Sequence, residues 1–295
     1  MAFCIITDSA SDVPRSVIDK YDLYVMPTPV TIDNEDLRDG VTIFPEEFYK
    51  IQEEGIKEIK TYHISQLMFE EHFTKFAKAG DEVLYICFST GVAGTYQAAS
   101  LAKETVLKKY PDFKITIIDS RCASIGYGLV TERVLKMQKN GAPKELLIEA
   151  AKYFCDHMIH AVAVQTLDYL YAGGRVGRAS FVVGGMLDIK PIIMMDENGS
   201  LKATEKVRGW KKALNRVVDI CEEQGAELSK QTVGLVYGTT VEDANYVEEI
   251  LRDKLKVDGV LKGQVGCAIG AHTGPGVIGL VFQDAINEKY YEYLR

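Results

Sequence analysis

The sequence predicts an α/β chain of two domains. The first carries a mainly parallel, doubly wound sheet and the second a mixed sheet in an α/β sandwich. Short apolar runs alternate with amphipathic stretches from the first residues onward, the rhythm of βαβ units. A second cycle begins near residue 159 and contains Asn198-Gly199, the signature of an antiparallel hairpin. At 295 residues the chain is also long for a single core. The boundary falls between domains of residues 1–158 and 159–295.

Each element follows from local chemistry. Residues 3–7 form a strand that ends in Asp8-Ser9-Ala10-Ser11-Asp12, with Ser11 or Asp12 placed to cap a helix whose first turn holds Pro14. Pro45 opens another helix. Residues 69–79 are helical and stop at Gly80. A strand over 82–88 leads to a helix over 94–110 with Pro111 beyond it. A strand over 114–118 closes on Asp119-Ser120, and helices follow near 126–139 and 143–157. In the second cycle, a strand over 160–165 is followed by a short helix reaching Gly173-Gly174 and by a helical stretch over 178–188. Strands 190–195 and 201–207 flank the hairpin turn. Helix 210–224, strand 231–237, helix 241–256, strand 261–269 and an apolar strand from 277 complete the chain.

Composition narrows the function. With 47% hydrophobic and 26% charged residues the chain is an ordinary globular protein. A net charge of −8 argues against a nucleic-acid partner, which calls for a basic stripe. No apolar run is long enough to span a bilayer. The first residues lack the basic region of a signal peptide, so the expected location is cytoplasmic. The six cysteines are scattered through apolar runs with no C-x-x-C pair, and are expected to be reduced core residues.

The richest segment is Gly270-Ala271-His272-Thr273-Gly274-Pro275-Gly276, read as a glycine-rich turn presenting His272 and Thr273. Gly274, Gly276 and Gly279 mimic a dinucleotide fingerprint, but an apolar strand follows where that motif needs a helix. The loop Ser89-Thr90-Gly91-Val92-Ala93-Gly94 lies at the carboxyl end of a strand and runs into a helix, where hydroxyls and free N–H groups favour an anion or serve as caps. Asp8 and Asp119 close two other predicted strands on the same sheet edge, as caps or, less favoured, as a metal pair. Ser65 caps the helix from residue 69 or faces the same cleft. Arg175 in a glycine-rich turn can hold a carboxylate or phosphate, or be solvated. Arg208, Lys211 and Lys212 belong to a local basic patch, a solvated face or a dock for an acidic partner.

Taken in order, these segments resemble the DegV family nearly end to end. The resemblance rests on Thr7 to Asp12, Ser89 to Ala99, Ile118-Asp119-Ser120, Gly173 to Val176, Lys190-Pro191-Ile192, Lys206 to Gly209 and Gly270 to Gly276. It implies a carrier that buries a long-chain fatty acid between two α/β domains, with no cofactor beyond that ligand. The carboxylate would lie near His272, and a separate fatty-acid kinase catalytic subunit would phosphorylate it. Transient contact with a membrane or an acyltransferase would follow. The implied ligand-binding positions are Ile64, Ser65, Ser89, Thr90, Gly91, Ala93, Gly94, Arg175, His272 and Thr273. The basic patch of Arg208, Lys211 and Lys212 is the expected partner-binding surface. Ile64 and Ala93 stand where the family pattern carries a contacting Thr and Ser, so two hydroxyls are missing from the carboxylate grip. The alternative is an enzyme acting on a small carboxylate or phosphate ester, with His272 as acid/base. A monomer is the expected state.

Overall fold

The structure, a computed structural model, describes residues 2–177 and 188–295. It is the predicted mixed α/β architecture. β1 (Phe3–Asp8), β2 (Tyr24–Met26), β6 (Glu82–Cys87) and β7 (Ile115–Asp119) form a four-stranded sheet in the order β2-β1-β6-β7. All its pairings are parallel. Helices α3 (Gln66–Ala79) and α4 (Thr95–Lys109) cover one face, packing Phe69, Phe73 and Ala99 on Ile6, Val83 and Tyr85. Helix α5 (Ile125–Lys139) covers the other face, backed by α6 (Lys144–Asp156).

The second sheet holds β8 (Met158–Val164), β9 (Ile189–Met195), β10 (Leu201–Arg208), β11 (Thr232–Tyr237), β12 (Gly259–Gln264) and β13 (Val277–Gln283). Its order is β10-β9-β8-β13-β11-β12, mixed in direction. Strand alternation divides its residues between two faces. Ala161, Ala163, Leu235, Ile278 and Leu280 pack on α8 (Trp210–Gln224) and α9 (Val241–Asp253) in a closed core. Val162, Val164, Val236, Val277 and Val281 face the opposite way, toward α5 and the first sheet. Thus α5 lies between the sheets. Arg133 on α5 donates to Thr232 O at 2.9 Å, and a Cβ at Gly126 would come to 2.1 Å of His160 Nε2. The chain passes from one sheet to the other at residues 157–158.

Three features depart from the sequence reading. A small antiparallel sheet of β3 (Pro29–Ile32), β4 (Glu35–Arg38) and β5 (Ile59–Thr61), in the order β4-β3-β5, was not anticipated. Its strands are three or four residues long, too short to show a period. Neither Ser11 nor Asp12 caps α1 (Arg15–Tyr21), whose N-cap is Pro14. The strand expected over 261–269 ends at Gln264, and a helix, α10 (Cys267–Thr273), takes its place. His272 and Thr273 therefore lie in the last turn of a helix rather than in an open loop. α10 forms because acids far away in sequence cap it. Of the helical stretch expected over 178–188, residues 178–187, with Arg178, lie outside the described residues. All six cysteines are free, five of them buried.

Candidate functional site

The carboxyl ends of β1 and β6, the start of α5 and the inner face of the second sheet enclose a cavity. It encompasses about 1110 Å³, counting its open mouth. Its body is apolar, formed by side chains such as Phe88, Val162, Val164, Ile193, Val236 and Val281. This follows from the strand pattern: both faces of the second sheet are hydrophobic, the outer one covered by α8 and α9 and the inner one covered only in part by α5.

One end of the cavity is polar. β5 brings Thr61, α10 brings His272 and Thr273, and the turn after α7 (Asp168–Ala172) brings Arg175. Thr61 Oγ1 lies 2.6 Å from His272 Nε2. The ring of His272 sits over the Gly173 backbone, where a Cβ would come to 2.1 Å of Nδ1. Only glycine permits that approach. His272 Nδ1 is buried with no partner among the described residues. Burial, and then the nearby Arg175 charge, push the His272 pKa down to about 4. The imidazole is therefore neutral at pH 7 and hydrogen-bonds as a neutral ring. Arg175 Nη1 donates to Gly173 O at 2.5 Å. Partial burial lowers its pKa, but a guanidinium so placed remains a cation.

A second set of polar groups also lines the cavity. Asp8, at the end of β1, accepts from Tyr85 Oη at 2.6 Å, Tyr127 Oη at 2.7 Å and Ala10 N at 3.2 Å. Burial raises its pKa to about 6 against the pull of these donors. His160 on β8 accepts from Ala123 N at 3.3 Å, and burial lowers its pKa to about 4. Both residues line the cavity, and the sequence reading gave His160 no role.

The residues picked from sequence separate into two sets. Ile64, Ala93, Arg175, His272 and Thr273 line the cavity. Ser65, Ser89, Thr90, Gly91 and Gly94 do not line it; they hold the chain together. Ser65 Oγ caps α3 by accepting from Met68 N at 3.3 Å. Ser89 is fully buried, donates to Gly199 O at 2.7 Å and accepts from Gly91 N at 3.1 Å. The amide and hydroxyl of Thr90 both donate to Asp119. Gly91 faces the hairpin so closely that a Cβ would come to 2.4 Å of Gly199 O. Gly94 is the N-cap of α4 and packs against His63. Asp119 therefore caps a turn, and among the described residues no group of three or more potential metal ligands occurs. Thr61 and His63 line the cavity and were missed, because nothing in a short polar strand end marks them.

The basic patch lies elsewhere, at the end of β10 and the start of α8. Arg208, Lys211 and Lys212 are exposed, and Lys211 Nζ stands 5.0 Å above the Tyr246 ring. Arg216 is neutralised by Glu205 and Glu223, and Lys202 by Asp196. Among the described residues no helix is long and apolar enough to cross a membrane.

The profile of a family described as "Uncharacterised protein, DegV family" matches residues 2–285. The chain belongs to the DegV family. A DegV domain-containing protein of Caldanaerobacter subterraneus subsp. tengcongensis is 36% identical over 280 residues, 95% of this chain and 98% of that protein. Another, from Clostridium perfringens, is 32% identical over 282 residues, 95% of this chain and 97% of that protein. Among solved structures, a fatty-acid-binding DegV protein of Thermus thermophilus superposes with a TM-score of 0.86 at 26% identity, covering 96% of this chain and 100% of that one. A stearic-acid-binding protein of Eubacterium ventriosum gives 0.87 at 27% identity, covering 98% and 99%. Ile64 and Ala93 contribute apolar surface to the cavity wall.

Proposed function

We propose that this DegV chain binds a long-chain fatty acid, with the acyl chain in the apolar body of the cavity and the carboxylate at the end formed by Thr61, Arg175, His272 and Thr273. The observation that carries this reading is a largely apolar cavity in which Arg175, the one Lys or Arg among the described lining residues, stands beside a neutral imidazole. An anionic head group there meets a charge and hydrogen-bonding groups, and the tail leaves water at roughly 0.8 kcal/mol per methylene. The lipid-binding relatives of the same fold support it. Native mass spectrometry of the purified protein is expected to show a long-chain acid. A chain that stays empty and takes up no added palmitate or oleate would refute the reading.

The bound carboxylate is then offered to a separate kinase subunit for conversion to an acyl phosphate, so that this chain is a cytoplasmic carrier without catalysis of its own. Arg208, Lys211 and Lys212, away from the cavity lining, are the surface suited to an acidic partner. Charge reversal at these three positions is expected to weaken partner association while lipid binding persists. Loss of lipid binding would assign the patch to the ligand site or the fold.

The close Thr61–His272 pair also fits an ester-cleaving centre with His272 as acid/base. Against it, Nδ1 of His272 has no orienting acid among the described residues. Turnover of a small ester or phosphate ester that disappears in His272→Ala would favour that second reading.

A further inference from the structure

We propose that Asp39 is a positioning residue for the ligand, holding helix α10 so that His272 and Thr273 meet the cavity in fixed register. The proposal rests on the head-group reading of His272 given above.

α10 has seven residues, too few to persist without tertiary support. Its N-cap is Gly266, which offers no capping side chain. The first amides would be orphaned in a buried place. They are satisfied from the other half of the chain. Asp39 Oδ1 accepts from Cys267 N at 3.0 Å, and Oδ2 accepts from Ala268 N at 3.2 Å and from Ser9 Oγ at 3.2 Å. Asp12 Oδ1 accepts from Gly266 N at 2.8 Å. The fit is close: a Cβ on Gly266 would stand 2.9 Å from Asp12 Oδ1 and 3.0 Å from Asp39 Oδ2. Asp39 is 3% exposed, and beside the amide and hydroxyl donors just named the Cys267 thiol also meets its carboxylate. Further along, Gln52 Nε2 donates to Gly270 O at 3.0 Å.

Asp39 follows β4 directly, and Thr61 ends β5. Both strands pair with β3 in one small sheet. One platform therefore holds the amino end of α10 through Asp39 and meets the ring of His272 through Thr61. His272 lies five residues beyond Cys267, about 7.5 Å along a helix, so a shift or fraying of the first turn is passed to the imidazole. Asp39 does not line the cavity. Its influence on a ligand runs through α10.

The test compares wild type, Asp39→Asn, Ser9→Ala and the control Leu251→Ala, whose site is fully buried in the separate core under α9. Two quantities are read: oleate affinity by titration calorimetry, and the titration of the His272 ring by NMR in the ligand-free protein. Asp39→Asn puts an amide donor against backbone donors. It is expected to weaken oleate binding by about fivefold to thirtyfold. It should also move the His272 titration up from about 4 toward the ordinary 6.5. Ser9→Ala removes one donor to Asp39 and moves both quantities the same way by less. It decides the matter if Asp39→Asn does not fold. Leu251→Ala leaves both at wild-type values. Unchanged affinity and titration in the Asp39 and Ser9 variants, or shifts no larger than the control's, would overturn the proposal. A wild type that takes up no oleate, combined with a shifted His272 titration in Asp39→Asn, would remove the fatty-acid reading and keep the positioning role.

Discussion

The turns at 89–94 and 270–276 look alike as sequence, each a set of hydroxyl residues and glycines beside an apolar strand, yet they are put to different uses. The first lies against the hairpin of the second sheet. Its Ser89 and Gly91 are taken up by Gly199, its Thr90 by Asp119, and only apolar Val92 and Ala93 reach the cavity. The second is wound into α10 and directs His272 and Thr273 into the cavity. A glycine near a hydroxyl marks a close approach, but what approaches is decided by the element across from it.

The sharpest way to break this comparison is Gly199→Ala. Gly199 has φ +72°, and a Cβ would come to 2.2 Å of Ser89 Oγ and 2.9 Å of Arg121 Cα. Strain and overpacking together should cost roughly 2–4 kcal/mol in urea unfolding, with no such cost if the clasp is incidental.

His272→Ala probes the second turn. Oleate affinity is expected to fall about tenfold to a hundredfold, as for loss of a hydrogen bond to a charged group. Its stability effect carries a pH signature. With a folded pKa of about 4 against an ordinary 6.5, the unfolded chain takes up a proton that the native protein refuses. The wild type thus loses stability relative to the variant as pH falls from about 6.5 to 4, by up to about 1.4 kcal/mol per pH unit. Thermal melts of both proteins at pH 8 and pH 5 measure it. A gap independent of pH would show that the ring is not buried neutral.

Ser89→Ala is expected to lower stability by about 1–3 kcal/mol, because Gly199 O loses its partner in a buried site, and to leave oleate affinity unchanged. An affinity loss equal to that of His272→Ala would return the first turn to the ligand. The smallest effect is expected from Ile64→Thr, which adds a hydroxyl to the cavity wall. Affinity should rise about fivefold at about 1 kcal/mol of stability, read by calorimetry and urea unfolding. No gain would mean that the carboxylate does not reach this wall.

Much of the fold was legible because it is local. Strand 82–88 and the helix after it, the Asn198-Gly199 hairpin, and Ser65 as a cap all depend on residues close in sequence. The family motifs pointed to His272 and Arg175. The small sheet carrying Asp39 and Thr61 was not legible, since strands of three or four residues are stabilised by pairing rather than by their own pattern. His160 was equally silent, because a histidine inside an apolar strand looks the same whether it faces a core or a cavity.

The amino-acid order alone determined the α/β alternation, the helix stops, the reduced cysteines and the family to which the chain belongs. All of these rest on period, turn chemistry or ordered motifs. Only the tertiary structure decided that residues 267–273 are a helix and that Ser89 and Thr90 serve the scaffold while His272 serves the cavity. The reason is physical: α10 is capped by Asp12 and Asp39 from more than two hundred residues away. A hydroxyl's role depends on its nearest unsatisfied partner, which chain order does not specify.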